Sequence, residues 1–265
     1  MMGRMRRNLR TAAVLVGLSA LPVAAGAVAQ QGELIYNFSY SARQDITARD
    51  SANPVEAVGE TTPGGQPIPG QALTGAMDNG ISHYGGGLTD KGTITVDIVK
   101  KQLDGAMVVM IGEQGENVRR APPAECVVYG NTHVICDPNK TVYTEEYTLL
   151  RFLGANFVDP SQLDASKHWS IVQDNGNGEN VNADYTLNRN NNGVMQIGEK
   201  RTVKELGAGR LTTNIETNIG YDFTHLVPTS VSEYAIQRTD AGIKGTSTTT
   251  YQTTLNLVTD TTAKQ

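Results

Sequence analysis

Side chains that most often mark chemistry are scarce in this chain: four histidines, two cysteines and one tryptophan among 265 residues, with aromatics at 6%. The histidines, at 83, 133, 168 and 225, have neither i, i+4 nor short-loop spacing, so no metal pair is visible. No CxxC occurs, and His133 beside Cys126 and Cys136 leaves a zinc site one ligand short. The aromatic content is too low for the girdles of an outer-membrane barrel. Past the N-terminal segment, no apolar stretch approaches the roughly 20 residues of a membrane span.

Positive charge is also in short supply once the beginning of the chain is set apart. Arg4, Arg6, Arg7 and Arg10 precede the apolar run AAVLVGLSALPVAAGAVA, which ends in the small-x-small triplet Ala27, Val28, Ala29. That pattern predicts a secretory signal over residues 1–29, cleaved after Ala29. Pro22 and Gly26 break the run, which argues against a membrane anchor, and no cysteine stands near the cleavage point to carry a lipid. Loss of the four arginines moves the net charge from −5 to −9. Such a surface repels phosphate backbones and anionic headgroups, so nucleic acid is excluded as a partner and no integral span is expected after processing. The expected location is secreted or periplasmic, and residues 30–265 are expected to form a single β-rich domain.

Both cysteines fall in one stretch, ECVVYGNTHVICDPN at 125–139. An exported chain meets an oxidising compartment, where neighbouring thiols pair. In an antiparallel hairpin, Cys126 opposite Cys136 sets Val127 against Ile135, Val128 against Val134 and Tyr129 against His133. Gly130, Asn131 and Thr132 then form a three-residue loop, with Gly or Asn suited to positive φ. A two-residue loop would turn Cys136 to the other face, so register and disulfide are one prediction.

Alternation runs through most of the chain. Leu34, Tyr36, Phe38 and Tyr40 predict a strand with one buried face, and Ile94, Val96 and Ile98 predict another, joined by a turn at 103–105 to the denser run AMVVMI. Residues 50–90 are rich in Gly, Pro, Ser and Thr and predict a long mobile excursion. From Lys167 onward, strands alternate with turn clusters such as DNGNGEN, RNNNG and GAG. One segment departs from this: in TVYTEEYTLLRFLG, Tyr143, Tyr147, Leu150 and Leu153 recur at helical spacing, Thr144 is placed to cap, and Gly154 follows the last periodic residue. The fold class predicted is mainly β: a curved antiparallel meander, half-barrel-like, of about eight to ten strands, with one short helix of about ten residues packed on it.

Motifs for catalysis are few. HYGGG at 83–87 resembles the glycine-rich oxyanion loop of some esterases, but the matching elbow GxSxG is missing, which leaves a turn beside a strand. DNGNGENVNAD at 174–184 is rich in oxygen ligands yet has Gly176 at the third position of a calcium-loop pattern, so a hairpin loop is the reading. Glu145 and Glu146, adjacent on a helix, point about 100° apart and match the helix dipole rather than flank a bond. STTTYQTT at 247–254 suits strand propensity and also contact with ordered water or sugar.

No catalytic, metal or cofactor residue is therefore assigned, and the expected role is non-enzymatic. The expectation is an exported binding or envelope-associated protein, with partners of two kinds: a small apolar or lipid-like ligand held between sheet and helix, or an envelope protein. Tyr147, Leu150, Phe152 and Trp169 are the candidate ligand-facing residues. The outline is similar to periplasmic half-barrel lipid carriers, a likeness of shape with no shared motif. The alternatives are a structural or surface-assembly protein acting through strand edges, and a hydrolase whose site is assembled from residues distant in sequence.

Overall fold

Alternation along the strands becomes one wide sheet with an inner and an outer face. A computed structural model describes residues 32–48, 74–78, 81–102, 106–117, 120–129, 132–154, 167–174, 179–191, 194–206, 210–240 and 245–262. The expected signal and Ala29 fall outside them, as do the 103–105 turn and the loop residues Gly130 and Asn131.

In chain order the strands are β1 (Glu33–Ala48), β2 (Thr74–Asp78), β3 (Ile81–Lys101), β4 (Met107–Gly115), β5 (Arg120–Val128) and β6 (Val134–Cys136). Helix α1 (Thr144–Arg151) comes next. It is followed by β7 (His168–Asp174), β8 (Glu179–Asn191), β9 (Val194–Leu206), β10 (Arg210–Asp222), β11 (Val227–Asp240) and β12 (Gly245–Asp260). They form one antiparallel sheet in the order β6-β5-β4-β3-β1-β12-β11-β10-β9-β8-β7, with β2 paired to β3 off this path. The twelve strands among the described residues exceed the eight to ten expected. The first and last strands meet in the middle of the sheet, Phe38 opposite Leu255 and Ala42 opposite Tyr251. The two sheet ends are β6 and β7, and the chain between them carries α1.

One added strand, β2, and an extension of β3 come from the glycine-rich stretch. Residues 50–73 and 79–80 of the expected excursion lie outside the described residues, but β2 and the first half of β3 occupy its latter part. Gly85, Gly86 and Gly87 pair with Asp45, Gln44 and Arg43 of β1. An extended backbone pairs through its own amides and carbonyls, so partnership with β1 overrides a composition that alone favours loop. The HYGGG run is therefore strand backbone, not a turn.

Strong curvature follows from a single hydrogen bond. Arg201 of β9 donates from Nη1 to Thr132 Oγ1, in the loop between β5 and β6, over 3.1 Å. In a flat sheet those segments would stand seven or eight strand spacings apart, roughly 35 Å. The sheet thus curls until its two halves face each other across α1, which touches β4 and β6 on one side and β11 and β12 on the other.

The disulfide hairpin forms in the expected register. Cys126 stands opposite Cys136, Val127 opposite Ile135 and Val128 opposite Val134, with the disulfide made. The Tyr129 amide donates to the His133 carbonyl over 2.8 Å, closing the turn. Positive φ falls on Thr132, at 64°.

Helix α1 is eight residues long, too short to persist alone in water. Tyr143, not Thr144, holds the cap position, and its amide donates to Glu146 Oε2 over 2.7 Å. Gly154, with φ 78°, follows the last turn, and its amide donates to the Leu226 carbonyl. The expected apolar stripe becomes burial on almost every side: Glu145, Glu146, Thr148, Leu149, Leu150 and Arg151 are all buried. Each enclosed Leu or Phe contributes about 1.5–3 kcal/mol relative to exposure, so the sheet's enclosure is what sustains this helix.

Candidate functional site

Two clusters of polar side chains stand out, one inside the curve and one outside. The inner one surrounds Arg151 on α1, which pairs with Glu233 of β11 and lies 3.5 Å from Glu199 of β9. Glu199 also accepts from Tyr185 (2.9 Å) and Thr217 (2.8 Å), and lies 3.8 Å from Arg201. Thr148, one turn before Arg151, donates to Glu233 over 2.9 Å. Burial opposes the charged form of Arg151, but Glu199 and Glu233 more than offset it and raise the pKa. For Arg201, burial and then repulsion from Arg151 lower it. Burial, followed by the neighbouring Glu199 charge, pushes the Tyr185 phenol well up. Perturbed groups often mark active sites, yet here two guanidiniums match two carboxylates within the core, the arrangement of a structural lock.

The expected ligand-facing residues join that interior. Leu150 and Phe152 are fully buried, Trp169 is 3% exposed, and Tyr147 packs half-buried against the same core. Trp169 stacks on Tyr185 with ring centres 5.4 Å apart. Leu149 and Leu153 complete the apolar contribution of the helix to this core.

Outside, the register of β7 to β10 aligns polar side chains into cross-strand rows. His168 faces Thr186, Thr186 faces Gly198, and Gly198 faces Asn218. One row along, Ser170 faces Asp184, Asp184 faces Lys200, and Lys200 faces Glu216. Because side chains alternate, these residues point outward while Trp169, Tyr185, Glu199 and Thr217 between them point in. Gly198 has no side chain to fill its place in the first row. Over it lies an open groove of about 560 Å³. A register irregularity between Leu187 and Arg189 leaves Asn188 as the extra residue of β8. Its carboxamide reaches over Gly198, so that a Cβ there would stand 3.3 Å from Asn188 Nδ2. Ser170 Oγ donates to Asp184 Oδ1 over 2.6 Å, and His168 Nδ1 stands 3.4 Å from Thr186 Oγ1. A smaller groove of about 200 Å³ crosses β3 to β5 on the same outer face, over Thr95, Asp97, Met110 and Gly112.

Of the other residues noted in the sequence, His133 is exposed beside Tyr129. His225 sits 2.8 Å from Asp222 and 3.7 Å from Asp260. Among the described residues no group of three or more His, Cys, Asp and Glu is arranged to hold a metal. Of the calcium-like loop, residues 175–178 lie outside the described residues and Glu179 to Asp184 are strand. In β12, Thr249 and Thr253 face the interior, whereas Thr248, Thr250 and Thr254 face out. The groove residues escaped sequence reading because each strand shows only an outward polar parity. What unites His168 with Asn218, fifty positions away, is inter-strand register.

The fold is that of a mainly β protein, an open antiparallel meander wound round one short helix, whose described surface carries a polar groove. No protein-family model matches the chain, and neither characterised proteins nor solved structures yield a match to it. Among the described residues no helix is long and apolar enough to cross a membrane.

Proposed function

We propose that this is an exported, non-enzymatic binding protein, secreted or periplasmic, that engages a small polar ligand in the groove over Gly198. The groove carries this reading, because four adjacent strands converge hydrogen-bonding side chains on one unfilled glycine position. Export is supported by the N-terminal pattern and by the Cys126–Cys136 bridge, a bond favoured outside the cytoplasm. The apolar-ligand version of this role would need space between sheet and helix, where Leu149, Leu150 and Phe152 are fully buried, so the outer face is the better-supported surface.

A thermal-shift screen of small polar compounds tests the reading, run on the mature protein and on Gly198→Val in parallel. Compounds that raise Tm in the first and not in the second support it. Compounds that act equally on both, or none acting at all, remove the groove from consideration.

A second reading is assembly through strand edges. Both sheet ends present an exposed aliphatic side chain, Ile135 on β6 at 52% and Val172 on β7 at 76%. Sedimentation over a range of protein concentrations tests it: self-association lost in Val172→Lys favours assembly, and a single monomeric species at all concentrations sinks it.

A further inference from the structure

The groove's chemistry narrows its ligand, and this inference rests on the binding role just proposed. We infer that the groove recognises a neutral, hydroxyl-rich ligand: a short oligosaccharide lying across β8, β9 and β10.

Charge is the first discriminator. The row Asp184, Lys200, Glu216 alternates in sign on adjacent strands. A phosphate or carboxylate set down on it meets two carboxylates beside the one ammonium, while a cation meets Lys200 at the centre. Alternation thus penalises either sign of ligand and leaves hydrogen bonding as the available interaction.

Donor and acceptor content is the second. Asn188 and Asn218 each offer a carbonyl oxygen and an NH2 group, Thr186 both donates and accepts, the two carboxylates accept, and Lys200 donates. A sugar hydroxyl is likewise both donor and acceptor, so a run of hydroxyls matches such a mixture. A peptide would instead seek a ladder partner, but the backbone groups of β8, β9 and β10 are already committed to their neighbours.

Spacing is the third. Adjacent strands stand about 4.8 Å apart, comparable with the rise of one sugar unit along an extended glycan. The groove crosses four strands and so suits two or three units. Among the described residues no Phe, Tyr or Trp lines it, and the His168 imidazole stands at the β7 end of the row, so over β8, β9 and β10 recognition is edge-on, through hydroxyls.

The experiment is a neutral-glycan array, with calorimetry on the strongest hits, using the mature protein, Gly198→Val, Asp184→Asn and Asn218→Ala. Gly198 has no positive φ, and valine favours strands, so the substituted side chain fills the groove while the fold stands. Asn256→Ala, on the outer face of β12 and away from the groove, is the control. The expected result is binding of at least one neutral di- or trisaccharide, weakened tenfold or more by Gly198→Val, reduced by the two rim changes and untouched by the control. Asp184→Asn and Asn218→Ala alter exposed or half-exposed side chains, so they report even if Gly198→Val misfolds.

Citrate, inorganic phosphate and spermidine are titrated alongside. If one of these binds in a Gly198→Val-sensitive way and no neutral glycan does, the saccharide assignment is overturned and the groove as a binding site stands. Should glycans and ions alike bind without regard to the groove substitutions, or not at all, both fall.

Discussion

Arg151 of α1 pairs with Glu233 of β11 inside the curve of the sheet, joining residues 82 positions apart, one on a helix that follows β6 and the other on a strand of the far half. The same guanidinium faces Glu199, and the same carboxylate accepts from Thr148 and Thr217. A helix too short to be stable alone is thereby fixed in place by buried, mutually paired charges.

Removing one member of this set leaves its partners buried and uncompensated. Arg151→Met is expected to destabilise by about 3–5 kcal/mol, whereas adding Glu233→Gln restores part of the loss, because the carboxylate is then no longer stranded. Urea unfolding of the wild type, both single variants and the double measures the coupling. A near-zero coupling energy would show that the pair does not hold the helix.

The Cys126–Cys136 bridge closes a short loop at the edge of the sheet. Converting both residues to serine is expected to lower stability by about 2–3 kcal/mol on loop-closure grounds. Hydrogen exchange is expected to rise first in β6, which has three residues and pairs only with β5 along the sheet path. Uniform loss of protection across the whole sheet would contradict this.

Thr132 combines a β-branched side chain with φ of 64°, while its hydroxyl accepts from Arg201. Asparagine tolerates that backbone region and keeps an acceptor oxygen for the guanidinium. Thr132→Asn is expected to stabilise by about 1 kcal/mol, and Thr132→Val, which retains the branch and loses the acceptor, to destabilise by about 1.5–3 kcal/mol. Thermal melts of the two variants distinguish strain from hydrogen bonding.

Alkali acts through buried phenols. Burial comes first in raising the pKa of Tyr36, Tyr185 and Tyr221, each of which donates: Tyr36 to the Pro228 carbonyl, Tyr185 to Glu199 and Tyr221 to the Gly154 carbonyl. The folded state keeps these protons while the unfolded chain releases them near pH 10. Their contribution is complete below that pH and declines above it. Phenolate absorbance is expected to rise in step with unfolding, not ahead of it.

Acid has the opposite sign at Asp222. Burial alone would raise its pKa, but amides of His225 and Thr224, with the His225 ring beside it, hold it below the usual carboxylate range. That contribution is present above about pH 4 and lost as pH falls further. The Tm difference between wild type and Asp222→Asn is expected to shrink between about pH 5 and pH 3; a difference independent of pH would remove this residue from the account.

Much of the local structure was legible in the residues. The alternation of Leu34, Tyr36, Phe38 and Tyr40 marks a buried face, and all four are buried. The Cys126–Cys136 register follows from pairing the two thiols, which selects the three-residue loop, and the spacing of Tyr143, Tyr147 and Leu150 locates α1. Less was visible where partnership outweighed composition: Gly85 to Gly87 read as excursion and are strand, because β1 lies beside them. The burial of Glu145, Glu146 and Arg151 was hidden too, since a charged residue on a short helix reads as solvated until its counterion is known.

By itself the sequence determined which side chains point together along each strand and how the cysteines meet, since those depend on residues close to one another in the chain. Tertiary structure alone decided the curl that encloses α1, the ion lock at its end and the outward rows over Gly198. These arise from pairings such as Phe38 with Leu255, more than two hundred positions apart, whose register no local pattern encodes.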